Sequence, residues 1–168
     1  MGYYIIIRGP LGSGKSTISK RLSVSLKAKC ISIDRILEEH NLEKWEKGYI
    51  SQDSFLKVNE IAAAKAIRLL EKGVVVIFDG NFYYKSQIKD LVKRLGKHKP
   101  FVFTLKIPLK VCIERDSKRK KPLGAEAATD VYRKSTEFDY GIGIDATKPK
   151  DKMLERILFC LQTGTNLL

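Results

Sequence analysis

Histidine, cysteine and long apolar runs are scarce in this chain. The two histidines, His40 and His98, sit in polar stretches without metal-like partners, so no histidine-built metal centre is expected. The three cysteines, Cys30, Cys112 and Cys160, are odd in number, far apart and never paired at a metal-like spacing. That argues against a disulfide framework, and they read as reduced, small core hydrophobes of a cytoplasmic protein. No apolar stretch approaches the roughly 20 residues that cross a bilayer, and the N-terminal apolar run is too short for a signal peptide. Internal repeats, low-complexity tracts and domain linkers are absent. Acidic residues are also few: 19 Asp and Glu stand against 32 Lys and Arg, a formal charge of +13. The excess favours polyanionic partners, or else is a lysine-rich solvated surface. The 168 residues, 43% hydrophobic, suit a single domain spanning 1–168 with one core.

The chain is organised around the run Gly9-Pro10-Leu11-Gly12-Ser13-Gly14-Lys15-Ser16-Thr17. It fits the phosphate-loop pattern G-x-x-x-x-G-K-[ST]. The β-branched and aromatic run Tyr3–Ile7 before it reads as a buried strand. The run Ser16–Lys27 after it, with Ile18, Leu22 and Leu26, reads as a helix. Strand, glycine loop and helix are the context this motif requires. Glycines let backbone N–H groups turn toward phosphate oxygens, and the helix N-terminus adds its positive end. Lys15 is expected at the β- and γ-phosphates of ATP, and the Ser16 hydroxyl on Mg²⁺.

Strands and helices alternate onward. Lys29–Ile33 reads as a strand ending at Asp34, residues 35–50 as a short helix and an irregular segment, and Ser54–Lys72 as a helix. Val74–Phe78 reads as a central strand, Lys85–Leu95 as a basic amphipathic helix and Phe101–Ile107 as a fourth strand. Ala125–Glu137 reads as a helix, Ile142–Ile144 as a last strand, and Pro149 opens a final helix. The pattern predicts an α/β fold: a parallel sheet with helices on both faces.

Ligands bind beyond the carboxyl ends of such strands. Asp34 there is the candidate general base for an acceptor hydroxyl, with N-capping of the next helix as its structural alternative. Asp79 is the candidate Mg²⁺ carboxylate, or a turn residue, and Asn81 a contact to acceptor or water. Arg115 and Arg119, spaced i, i+4, would share a helix face and neutralise phosphoryl charge. Glu114 and Lys118 offer the alternative of an ordinary surface pair. Phe82, Tyr83 and Tyr84, with Trp45 and Tyr49, are candidates to stack a base or simply to pack.

The segment Leu105–Arg119 (LKIPLKVCIERDSKR), the phosphate loop near the N-terminus and the triplet Asp79-Gly80-Asn81 together resemble the bacteriophage-type polynucleotide 5′-hydroxyl kinases. The resemblance implies a three-layer P-loop NTPase fold of the nucleoside-kinase type, with a five-stranded parallel sheet and a basic helical lid at about 110–136. It implies Mg-ATP as donor, with Arg115 and Arg119 as lid arginines on the ATP phosphates and Thr147-Lys148-Pro149 near adenine. The implied acceptor is a nucleotide or a single-stranded nucleic-acid 5′-end. Two departures stand. The carboxylate in Ile33-Asp34-Arg35 comes earlier than in that family, as in adenylylsulfate, gluconate and shikimate kinases. The arginine that holds the acceptor's 3′-phosphate has only Arg35 nearby. A small-metabolite kinase is the runner-up, and a nucleotide-binding switch or plain NTPase the reading from another class. The lack of Asp-x-x-Gly at the third strand speaks against the switch.

Overall fold

In chain order the elements are β1 (Tyr3–Arg8), α1 (Lys15–Leu26), β2 (Lys29–Ser32), α2 (Ile33–Glu39), β3 (Trp45–Glu46), β4 (Tyr49–Ile50) and α3 (Gln52–Leu70). Then follow β5 (Val76–Asp79), α4 (Lys85–Leu95), β6 (Lys99–Lys106), α5 (Leu109–Ser117), α6 (Ala125–Thr136), β7 (Ile142–Asp145) and α7 (Lys150–Thr163). These come from a computed structural model, which describes residues 2–165.

The run Tyr4–Ile7 is fully buried because β1 is the middle strand of a parallel five-stranded sheet, β2-β5-β1-β6-β7. Side chains alternate across a strand. Tyr4 and Ile6 therefore join the core under α2, α3 and α4, and Ile5 and Ile7 join the core under α1 and α7. The fold is the expected α/β sandwich of a sheet between helical layers. Strand order reverses around β1, so the loops after β1, β2 and β5 open into one crevice at the carboxyl edge.

Several boundaries move, for local reasons. The second strand stops at Ser32, whose side chain accepts from the Arg35 N–H at 3.3 Å and caps α2. A serine cap outweighs the strand preference of Ile33. Asp34 therefore sits in the first turn of α2, and its N-capping alternative falls to Ser32. Residues 35–50 are not irregular beyond the helix: Trp45 pairs with Ile50 and Glu46 with Tyr49 in a small antiparallel hairpin. Its two-residue turn, Lys47-Gly48, has positive φ at both positions, as a type I′ turn needs. Ser51 caps α3 by accepting from Ser54 N–H at 3.2 Å, so that helix starts at Gln52. β6 begins at Lys99, earlier than its aromatic run suggests, because Lys99 pairs with Tyr3 of the middle strand. Cys30, on the edge strand β2, is exposed, whereas Cys112 and Cys160 are buried. No described helix is long and apolar enough to cross a membrane.

One buried cation ties these layers together. Arg8 donates to Phe82 O (3.3 Å), Thr104 Oγ1 (3.0 Å) and Ser135 O (2.8 Å) and lies over the Phe138 ring. It joins the strand before the phosphate loop to the loop after β5 and to the end of α6.

Candidate active site

The loop between β1 and α1 reverses the chain onto the N-terminus of α1. Gly14 holds φ +90, which L side chains avoid, and Lys15 begins the helix. The Lys15 ammonium turns back into the loop and donates to Pro10 O at 2.9 Å. Its surroundings lower its pKa by burial, opposed by the carboxylates of Asp34 and Asp79. Asp34 in turn is raised by burial, pulled down by Lys15 and pushed up by Asp79. Burial also raises Asp79, against Lys15 and a hydrogen bond from the Ser16 hydroxyl. One buried ammonium thus faces two carboxylates just beyond the ends of β2 and β5, the exposed Asp34 and the half-buried Asp79.

That imbalance fits a divalent cation at Ser16 and Asp79. Among the described residues no group of three or more His, Cys, Asp or Glu could hold a metal alone. Phosphate and water oxygens would have to complete the shell, as Mg²⁺ usually requires.

Lys15, Ser16 and Asp34 line a cleft of about 430 Å³, and Asp79 is not part of its lining. Arg115 reaches it from α5, donating to Gly12 O (3.2 Å) and Ala146 O (3.4 Å). Arg119 also lines it, but from the turn beyond α5 and not from a shared helix face. The buried Asp116 carboxylate approaches Arg119 at 3.7 Å, while its other oxygen accepts from Leu123 and Gly124 N–H, at 3.0 and 2.9 Å. The Glu114–Lys118 surface pair forms beside them.

The cleft lining also includes Trp45, Tyr49 and Tyr83, with Glu43 and Asn81. Trp45 is 62% exposed. The Tyr83 hydroxyl accepts from Ile50 N–H at 2.9 Å, so the hairpin is pinned to the loop after β5. The Asn81 side-chain oxygen is buried and has no hydrogen-bond partner among the described residues.

Several expected contacts lie elsewhere. Phe82 is fully buried in the core, because its φ of +48 reverses the chain and turns the ring inward. Arg35 is on the outer side of α2 and pairs with Glu39 at 2.6 Å. Thr147 binds Asp145 Oδ1 through its N–H and hydroxyl and borders a second cavity, about 520 Å³, beside β6 and β7. Pro10 of the loop faces that cavity too; Lys148 and Pro149 are exposed. Sequence reasoning passed over Glu43, Asp116 and Lys150. Asp116 had a signal, an acid between two lid arginines; Glu43 and Lys150 had none, since only folding brings them to the cleft or the loop.

A phosphate loop at a strand-to-helix turn, carboxylates at two neighbouring strand ends and a basic lid define a kinase-like P-loop fold. The chain belongs to the AAA domain family (AAA_33), which matches residues 5–137. A cytidylate kinase of Sulfurisphaera tokodaii is 28% identical over 173 residues, covering 92% of this chain and 94% of that protein. In structure the chain is similar to a sugar kinase from Janibacter sp. HTCC2649, with TM-score 0.81, 18% identity and coverage of 96% and 95% of the two chains. It is also similar to a gluconokinase from Sinorhizobium meliloti 1021, with TM-score 0.76, 15% identity and coverage of 96% and 92%.

Proposed function

We propose that this protein transfers the γ-phosphoryl group of ATP to a hydroxyl, and that the acceptor is the 5′-hydroxyl of a nucleotide or nucleic-acid end, as in the polynucleotide 5′-hydroxyl kinases. The observation that carries the proposal is one cleft lined by Lys15 and Asp34 together with Trp45, Tyr49 and Tyr83. Asp34 takes the acceptor proton as the oxygen attacks the γ-phosphorus and ADP leaves. Lys15, Arg115 and Arg119 neutralise the charge on the moving phosphoryl group and the departing β-phosphate. Mg²⁺ at Ser16 and Asp79 would supply further neutralisation of the phosphate oxygens. The aromatic side chains of the lining suit a planar base, and the +13 charge suits the phosphates that follow it.

A second reading, a kinase of a small uncharged alcohol, is favoured by one specific observation. Arg35 pairs with Glu39 on the surface and is not part of the cleft lining, which carries the Glu43 carboxylate and, as its cations among the described residues, Lys15, Arg115 and Arg119. The deciding experiment is transfer of labelled γ-phosphate to 5′-hydroxyl oligonucleotides, nucleosides and a polyol panel. Labelled oligonucleotide supports the first reading. Saturable labelling of one polyol alone replaces it with the second.

A further inference from the structure

The phosphate loop meets a second ammonium, from the far end of the chain. Lys150, the first residue of α7, is half-buried and lies against Gly14. A Cβ built on Gly14 would collide with its ammonium nitrogen and lie 3.1 Å from its Cε. Gly14 therefore meets two demands, a left-handed backbone and an open flank for this lysine.

No carboxylate among the described residues pairs with the Lys150 ammonium. Its nearest polar partner is Met153 Sδ at 3.8 Å, a weak acceptor. The acid one residue on, Asp151, is engaged by Arg21. Burial lowers the Lys150 pKa, and Arg115 and Arg21 lower it further. A half-desolvated cation among cations is unfavourable unless an anion answers it. Lys15, by contrast, already faces two carboxylates across the loop.

We infer that Lys150 is a second nucleotide-phosphate contact, which holds the α,β-phosphate end on the Gly14 flank while Lys15 serves the transferred end. This rests on reading the loop as the nucleotide site. Both ADP and ATP keep the α- and β-phosphates, so the contact strengthens both alike. Charge also gathers on the β-phosphate as ADP departs, so loss of the contact weakens nucleotide binding and lowers turnover as well.

The test is calorimetric titration of the full chain with ADP, ATP and inorganic tripolyphosphate, for wild type, Lys150→Ala, Lys150→Gln and Lys150→Arg, with Lys15→Ala as reference. Thermal melting checks that each variant is folded, and the glutamine variant keeps the length of the side chain. Affinity for all three ligands should fall roughly tenfold or more in the alanine and glutamine variants, the scale of a lost hydrogen bond to a charged group. Arginine should recover most of it. Unchanged ADP affinity in both neutral variants overturns the inference. So does a loss confined to ATP, which would put the lysine at the γ-phosphate, or unchanged tripolyphosphate affinity, which would put it on the nucleoside. If wild type binds no nucleotide, or Lys15→Ala binds as wild type does, the loop reading itself has failed and the inference falls with it.

Discussion

Asp34 and Arg35 are neighbours in sequence, yet a helix turns successive side chains about 100° apart. Asp34 faces Lys15 in the cleft, and Arg35 faces Glu39 on the surface. The general-base assignment makes two demands. Asp34→Asn should cut turnover about 10²–10⁴-fold while ATP affinity is nearly kept. Normal transfer by bound ATP would make Asp34 structural. A base works only when ionised, and burial raises the Asp34 and Asp79 carboxyls. Activity should therefore fall, as pH is lowered, above the ordinary aspartate value of about 3.9. That limb belongs to the coupled pair and not to one group. A kcat/KM profile still flat at about pH 4 would contradict it. Lys15→Ala should abolish most transfer and also change how stability depends on pH. Without the ammonium both carboxyls rise further, so the fold binds protons that the unfolded chain has already released. Its stability falls as pH rises from the unfolded value toward those raised values, and the window reaches higher than in wild type. The melting deficit of Lys15→Ala should be larger at pH 8 than at pH 5. An equal deficit at both would mean the lysine does not compensate the pair.

At the scale of elements, the lid is held by its own carboxylate. Asp116 is buried and spans the turn after α5, accepting from two backbone N–H groups at the start of α6 while facing Arg119. Arg119→Ala should lower kcat more than it weakens ATP binding, because its charge is matched best in the transition state. Asp116→Ala should reproduce part of that loss by freeing the turn, whereas a purely local staple predicts wild-type kcat with reduced protection of the 118–124 amides. Hydrogen exchange measured beside steady-state kinetics separates the two. Much of the element order was legible because long apolar runs and caps are local signals: Tyr3–Ile7, the α3 pattern and Pro149 before α7 all declare themselves. The hairpin was not, since two-residue strands have no periodicity and only Lys47-Gly48 marks the turn. The lid helix ended early because Ser117 returns its hydroxyl to Glu114 O within the last turn, and the charged run beyond it gives no core face to extend.

For the whole molecule, the sheet order fixes what meets what. The loop and the carboxylates were legible as a site because parallel strands must all end on one edge. Of the two readings of Phe82 the packing one holds, and the choice was not legible because its backbone φ is not written in the local pattern; Lys150 was missed because the contact joins distant segments. The acceptor depends on the least local property, the distribution of the +13 charge. The cleft itself offers Lys15, Arg115 and Arg119 to phosphates, and the exposed residues Lys118, Lys120 and Lys121 flank Arg119 on the turn after α5. If the acceptor is a nucleic-acid end, its later phosphates meet that turn and release counterions. The Michaelis constant for the acceptor should then rise with salt by roughly 0.7 log unit per log unit of salt for each single-strand phosphate engaged. The slope should steepen as the acceptor grows from one nucleotide to several and then level off where the basic turn ends. Replacing Lys118, Lys120 and Lys121 together by Gln should flatten the length dependence and leave the mononucleotide constant unchanged. A slope independent of length, with the triple variant indistinguishable from wild type, would mean the charge is a solvated surface and the acceptor a small alcohol enclosed by Trp45, Tyr49 and Tyr83.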